Sequence, residues 1–396
     1  MNNELLNQAK KAFFGTYQKE AEHLFFANGR LEILGNHTDH QGGKCLVAGC
    51  SLGIYAAVSK RDDNRVEIQS DGYRAISFAL DELEVNRLDY GHSIALAKGV
   101  IKGFQTKGYR VGGFSACLTS DIFPGAGVSS SAAYELLIAE ILNQLFNDGK
   151  ASLTEKAIIG KYAENVYFGK PSGLLDQIGA SYGGLQLVDF KTDPPKIRSL
   201  EIPTSWKLHI ILVNPGGSHA KLTPLYAKMP KDMKAIAAFC FDKEILSEAE
   251  GKPSVVYQTL HDKSEANPSL PSRALRRAVH YFEEVERVER IAKAIERDNR
   301  DWFLELERST EMSQAYLLRN AMVPNAYEKS PLQAVERAKD FLKEGASRVM
   351  GGGFAGTTIN FVPEEELSAF LKGMRAYYGE EAVVEVDIPE NGAHKI

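Results

Sequence analysis

The sequence predicts a two-domain α+β protein, and three observations carry that expectation. The chain of 396 residues is longer than one domain usually needs, at roughly 100–200 residues each. Its first half mixes apolar β-like runs, Gly-rich turns and helical periodicity, whereas its second half carries long charged helices and closes on β-α-β. Between the halves, DPPKIRSLEIPTS gathers prolines and polar residues, so the boundary is expected within 195–205. We take the domains as 1–198 and 199–396.

The elements follow in order. The start, MNNELLNQAKKAFFGTYQKE, has no apolar signal-peptide core and reads as an amphipathic helix. HLFFANGRLEILG (23–35) reads as a strand broken by a turn at Asn28-Gly29. LVAGCSLGIYAAVSKR (46–61) is a second β-rich run, and 66–78 adds further strand. Alternation in these runs is imperfect, as in strands buried on both faces. Residues 93–104 read as a helix bounded by glycines, and 113–119 as a strand. SSSAAYELLIAEILNQLF (129–146) spaces its apolar residues three and four apart, the helical pattern. A further helix is expected over 154–167, capped by Thr154. LHIILV (208–213) reads as a buried strand, and 273–298 and 300–318 as long helices. Charges alternate in sign along EEVERVERIAKAIERDNRD, as on a solvated helix face. TTINFV (357–362) and AVVEVDI (382–388) are strands flanking a last helix. There is no internal repeat.

Composition narrows the function. Forty-seven basic residues against fifty-two acidic ones give a net charge of −5, without the basic footprint of a nucleic-acid binder. No run reaches the ~18 apolar residues of a membrane span. The four cysteines form no CxxC pair, which favours reduced thiols and a cytoplasmic location.

Four segments carry chemistry. In FPGAGVSSSAAYE (123–135), Gly125 and Gly127 permit a tight loop, three serines supply hydroxyls, and a long helix begins. Such a loop feeding a helix N-terminus holds anions, because orphan N–H groups and the helix dipole both face them. It lacks the Gly-Lys-Ser/Thr of a Walker A loop; a plain capped helix would be the bland alternative. MGGGFAGTT (350–358) accepts the entropy of three consecutive glycines where a backbone must approach something closely, or simply turns between strands. GRLEILGNHTDHQGG (29–43) delivers Arg30, Asn36, His37, Asp39 and His40 to a Gly-flanked loop suited to gripping hydroxyls. A metal site on His37 and His40 is disfavoured, since only Asp39 adds a hard ligand nearby. In ENVYFGKPSGLLDQIGASYGG (164–184), Asp176 opens a short helix, either as an ordinary N-terminal acid or as a carboxylate held for catalysis.

Together these segments resemble the GHMP small-molecule kinases, galactokinase branch. Family wording of the form GRxNLIGEHTDYNGG stands here as GRLEILGNHTDHQGG, GxGLSSSA as GAGVSSSAA, ENxxxGxxxGxMDQ as ENVYFGKPSGLLDQ, and GGGFGGxT as GGGFAGTT. SHAKLTPLY (218–226) is a weaker match to a Ser-His segment ending in a sugar-contacting tyrosine. The resemblance implies an N-terminal domain like domain 2 of ribosomal protein S5 and a C-terminal ferredoxin-like domain with helical additions. It implies an ATP-dependent sugar 1-kinase, most simply a galactokinase, using ATP and Mg²⁺. Carried over by position, Gly125, Ala126, Gly127, Val128, Ser129, Ser130 and Ser131 would bind ATP. Ser131 and Glu164 would hold the metal. Asp176 and Arg30 would be catalytic, and Arg30, Asn36, His37, Asp39, Gly173, Asp176 and Tyr226 would meet the sugar. The implied partners are a small sugar and ATP, without nucleic acid or membrane, in a monomer or weak homodimer.

The departures concern substrate more than reaction. The family acid before HTD is Asn36 here, which admits a sugar altered at C6, such as galacturonate. His40 replaces a tyrosine, the proline of the phosphate loop shifts to Pro124, and 90–100 lacks the aromatics expected near adenine. A mevalonate, homoserine or heptose kinase is opposed by the HTDHQGG wording. A non-catalytic sugar and ATP sensor is opposed by the intact Ser131, Glu164 and Asp176.

Overall fold

The computed structural model describes residues 2–217, 222–249, 253–323 and 326–396. The Ser-His-Ala-Lys part of SHAKLTPLY, residues 218–221, lies outside the described residues.

Seven strands of the first half share one sheet: β1 (His23–Leu34), β2 (Lys44–Arg61), β3 (Arg65–Ser70), β4 (Ile76–Ala79), β5 (Gly113–Ser120), β6 (Leu185–Asp189) and β7 (Lys196–Leu200). β1 and β2 form its antiparallel spine. β1 is buried on both faces from Phe25 to Leu34, which removes any polar face and explains the weak alternation of its sequence. Asn28-Gly29 does not turn the chain as expected. It is a register shift inside β1, because both flanking segments keep their pairing with β2. The glycine is needed for a close approach: a Cβ on Gly29 would lie 2.7 Å from the Val128 carbonyl oxygen. β2 serves two neighbours, pairing β6 through 44–48 and β5 through 54–61. β3 runs parallel to β5. Residues 196–200 of the expected boundary segment form β7 against β6.

Five helices complete this half: α1 (Asn3–Tyr17), α2 (Ser93–Thr106), α3 (Ser130–Phe146), α4 (Leu153–Tyr162) and α5 (Leu175–Tyr182). α4 starts at a capping box made by Ser152 and Glu155, not at Thr154. Glu155 reaches back to the Ser152 backbone, a reciprocal pairing that Thr154 stands too late in the turn to make. α2 and α3 pack on the sheet through Val100, Phe104, Leu136 and Leu142 against Val58, Val66 and Phe114.

The second half adds helices α6 (Thr223–Phe241), α7 (Pro253–Ala266), α8 (Ser272–Glu296), α9 (Arg300–Ser313), α10 (Pro331–Ala338) and α11 (Glu364–Tyr378). Its four strands are β8 (Leu208–Val213), β9 (Ala346–Val349), β10 (Thr358–Pro363) and β11 (Val383–Val386), in the antiparallel order β11-β8-β10-β9. Leaving aside α6–α9, the run β8-α10-β9-β10-α11-β11 with this order is ferredoxin-like. α10 and α11 cover one face through Ala334, Ala338, Phe370 and Met374. β12 (His394–Lys395) then returns the chain to β1.

A shared core joins the two sheets. Leu31, Ile33, Leu46 and Ala48 from β1 and β2 pack with Leu212, Ile359 and Phe361 from the second sheet and with Val288 and Phe303 from α8 and α9. Arg348, fully buried on β9, ties the halves by hydrogen bonds to the Glu32 and Ile33 carbonyls, and its Nε lies 2.6 Å from Glu307. The C-terminal end of β1 therefore emerges directly beside the glycine turn that follows β9.

Candidate active site

The loop ahead of α3 is shaped by backbone conformation. Gly125, Gly127 and Ser129 all adopt left-handed φ, at +81°, +71° and +58°. Ala126 and Val128 are buried, their side chains in the shared core, so these two residues offer the loop only their backbones. The loop is pinned from both halves. Thr357 Oγ1 donates to the Gly125 carbonyl at 2.6 Å, and the Arg30 amide donates to the Val128 carbonyl at 2.8 Å. Ser130 is exposed and Ser131 half-buried at the N-terminus of α3, where orphan amides favour an anion.

Arg30 and Asp176 face each other across this loop. Arg30 Nε lies 2.7 Å from Asp176 Oδ1, and Arg30 Nη1 donates to the Gly127 carbonyl at 2.5 Å. Asp176 stands in the first turn of α5. Burial pushes its carboxyl up, but the Arg30 guanidinium, with lesser help from Lys170 and the Ser129 hydroxyl, holds it below the ordinary carboxylate range. Asp176 is thus ionised at neutral pH.

Glu164 sits in a π-helical turn, residues 163–167, that ends α4. Its carboxylate is fully buried and accepts four hydrogen bonds. Ser131 Oγ and Lys170 Nζ reach Oε1 at 2.9 and 2.7 Å, while Ser172 Oγ and Gln177 Nε2 reach Oε2 at 2.6 and 3.0 Å. A hydroxyl and a carboxylate so placed are hard oxygen donors, a set that fits Mg²⁺ held by few protein ligands plus phosphate oxygens and water. Among the described residues no cluster of three or more His, Cys, Asp or Glu side chains offers an all-protein cage.

The segment after β1 forms the other wall. Asp39 presses on Gly173, where an added Cβ would lie 1.8 Å from Asp39 Oδ2. Burial raises the Asp39 carboxyl to about 6, against the lowering effect of the His40 amide. His37 adopts φ +60° and places Nε2 3.0 Å from the Gly352 carbonyl. A carbonyl only accepts, so this nitrogen carries the proton and Nδ1 is the acceptor. Burial lowers His37 to about 4 and His40 to about 3, leaving both rings neutral at pH 7. The Tyr226 hydroxyl donates to the Gly353 carbonyl at 3.0 Å, and its ring lies against Gly352.

Asn36 also lines this cleft, and its buried amide is engaged by protein. Nδ2 donates to Glu32 Oε1 at 2.8 Å and to the Gly351 carbonyl at 2.6 Å, and Oδ1 accepts from Asn320 Nδ2 at 2.7 Å. Both amide hydrogens are used, one on the Glu32 carboxyl and one on a carbonyl that can only accept.

Arg30, Asp39, Asp176, Tyr226, Gly173, Ser131 and the loop 125–129 line one cleft of about 2070 Å³, room for a hexose and a nucleoside triphosphate together. Three neighbours escaped the sequence reading. Thr357 and Gly351 lie in the glycine-rich run already singled out, and Lys170 in the quoted segment that begins at Glu164; the spacing of each from the loop was not visible.

Residues 11–60 match the galactokinase galactose-binding signature, and residues 95–184 match the N-terminal domain of the GHMP kinases. A galactokinase of Clostridium perfringens is 29% identical over 383 residues, covering 94% of each chain. The chain thus carries the galactokinase signature and the GHMP kinase N-terminal domain, and is similar to galactokinases along nearly all of its length. A Staphylococcus carnosus galactokinase is likewise 29% identical, over 97% of this chain and 98% of its own. The crystal structure of Lactococcus lactis galactokinase complexed with galactose shares the fold of this chain, with a TM-score of 0.80 over 98% of both chains at 23% identity. The free, buried Cys45, Cys50, Cys117 and Cys240 form no disulfide. No helix among the described residues is long and apolar enough to cross a membrane.

Proposed function

We propose that this chain transfers the γ-phosphoryl group of ATP to the anomeric hydroxyl of galactose. The observation that carries the reading is the Arg30–Asp176 pair, fixed at 2.7 Å beside the N-terminus of α3 and the Gly351 turn. Phosphoryl transfer asks for positioning and charge stabilisation with little covalent work. The amides of Gly125 to Ser131, with the α3 dipole, would cradle the triphosphate. Arg30 would meet charge developing on the transferred group, and its bond to the Gly127 carbonyl holds it in register with the loop. Asp176, ionised and weakly basic, would orient the anomeric hydroxyl as acceptor and take its proton late, once the attacking oxygen has become acidic.

Ser131 and Glu164 would hold Mg²⁺. When bound, the ion would neutralise phosphate charge and orient the leaving group. Asp39, stopped against Gly173, would accept from ring hydroxyls, and His37 and Tyr226 would complete that wall through the glycine turn. In this reading the chain divides just after β7, since a cut at 198 would split that strand, and the cleft draws residues from both domains. By family analogy it acts in the cytoplasm, as a monomer or weak homodimer.

An engaged Asn36 gives no particular reason to prefer a C6 carboxylate, so galactose is the acceptor proposed. ADP release over a panel of galactose, galacturonate, mevalonate and homoserine tests this. Turnover is expected on galactose far above the others. Galactose binding without turnover on any acceptor would instead identify a sensor.

A further inference from the structure

The proposed metal ligand Glu164 is already occupied by a cation of the chain itself. Lys170 Nζ lies 2.7 Å from Glu164 Oε1, the oxygen that Ser131 also shares. The two partners are unlike in mobility. The Glu164 side chain is fully buried and held on its other oxygen by Ser172 and Gln177, whereas 53% of the Lys170 side chain is exposed. Lys170 also lines the cleft, close enough to Asp176 for each to influence the other's charge.

A divalent cation taking Glu164 Oε1 must therefore contend with an ammonium on the same atom, and two cations on one oxygen repel. Ser172 and Gln177 hold only Oε2 and can stay. Lys170, a point charge on a flexible four-carbon stem in solvent, is the group able to move. Once a triphosphate occupies the N-terminus of α3, the anion available within the same cleft is its terminal phosphate.

We propose that Lys170 is a displaceable cation: it neutralises Glu164 while the nucleotide site is empty and passes to the terminal phosphate when nucleotide enters, which frees Glu164 Oε1 for the metal. It is a positioning residue before loading and a phosphate contact afterwards. The inference rests on the reading of Ser131 and Glu164 as the metal pair. No covalent step is involved.

The test uses the full-length protein with Lys170→Met, Lys170→Arg and Glu164→Gln. Mn²⁺ binding to the ADP complex is followed by electron paramagnetic resonance, and metal-free ATP binding by calorimetry in EDTA. Galactose affinity serves as the check on folding. Lys170→Met should bind Mn²⁺ several-fold tighter, since nothing competes for Glu164, and metal-free ATP about tenfold weaker, the loss of a charge-assisted contact. Lys170→Arg should restore most of the ATP affinity. Unchanged Mn²⁺ and ATP affinities in Lys170→Met, with galactose binding intact, would overturn the proposal. Glu164→Gln separates the two readings. If it fails to weaken Mn²⁺, the metal pair itself is wrong and no displacement occurs at that oxygen. If it weakens Mn²⁺ while Lys170→Met changes nothing, the metal pair stands and Lys170 has no part.

Discussion

Arg30 and Asp176 are 146 residues apart in the chain and 2.7 Å apart in space. Each sits where another element fixes it: Arg30 on β1, tied to the Gly127 carbonyl, and Asp176 in the first turn of α5. The pair keeps the carboxylate ionised and thereby weakens it as a base. Asp176→Asn is expected to lose nearly all turnover while ATP and galactose still bind. Equilibrium binding alongside steady-state kinetics checks this, and near-normal turnover would remove Asp176 from the reaction. Because its carboxyl lies below the ordinary range, the wild-type rate should show no titration from this group near neutrality.

Gly173 is expected to tolerate no side chain. A Cβ there would stand 1.8 Å from the Asp39 carboxylate, so Gly173→Ala should push Asp39 out of place. The galactose KM should rise about tenfold or more, with the ATP KM little changed, as expected when one charge-assisted contact is lost. The Asp39 carboxyl, raised to about 6, adds a pH signature. Galactose affinity should fall as pH drops through 6 and Asp39 protonates, and hold steady above it.

Asn36 is predicted to act as a tie rather than a sugar contact. Asn36→Asp would set a carboxylate against the Gly351 carbonyl and against Glu32, whose carboxyl burial has already raised to about 7, so the only hydrogen to share is one Glu32 must take up. Stability should fall by about 1–3 kcal/mol, the range for unsatisfied buried groups. Adding Glu32→Gln should recover much of it, because the new amide can donate to the carboxylate introduced at position 36. Thermal unfolding of the single and double variants reads the coupling. Additive losses would show that the pair does not interact.

Arg348→Met should be among the most damaging core changes. It strands Glu307 and Glu32 in the interior and removes donors from the Glu32 and Ile33 carbonyls. Breaking such a buried pair costs about 3–5 kcal/mol, read by chemical denaturation. Burial holds the Glu307 carboxyl at about 7 even with Arg348 present. Without the guanidinium it should be protonated in the folded state.

His209 provides a stability switch of opposite sign to a paired carboxylate. Its ring nitrogens meet Glu385 at 2.6 Å and Glu364 at 2.9 Å. Burial lowers its pKa, but the two carboxylates outweigh that and raise it. The folded state thus holds the proton more tightly than the unfolded one. Its contribution is full below about 6.5, the unfolded value, and is lost as pH rises through the folded pKa. Denaturation midpoints should decline over that window, and His209→Gln should flatten the decline. The site is largely exposed, so the effect is small.

Much of the site was legible because its chemistry is local. A glycine-serine run that opens a helix announces itself, and so does an acid at the start of α5. The strands could be found from apolar content, but Asn28-Gly29 looked like a turn. Only the continued pairing of β1 with β2 makes it a bulge, and pairing is not local information. The protein partners of Asn36 were hidden for the same reason: Gly351 and Asn320, which engage its amide, lie about 300 residues away. Thr154 reads as a cap by residue type, whereas the reciprocal bond between Ser152 and Glu155 that makes the actual cap is a matter of geometry.

The most direct measurement is the fate of the phosphoryl group. Galactose labelled with ¹³C at C1 is incubated with ATP, Mg²⁺ and the enzyme, and the product is followed by ³¹P and ¹³C NMR. The predicted product is a phosphate ester coupled to the labelled C1, formed by the wild-type protein and absent with Asp176→Asn. A phosphate on any other carbon, or ADP formed without a sugar ester, would contradict the proposed reaction.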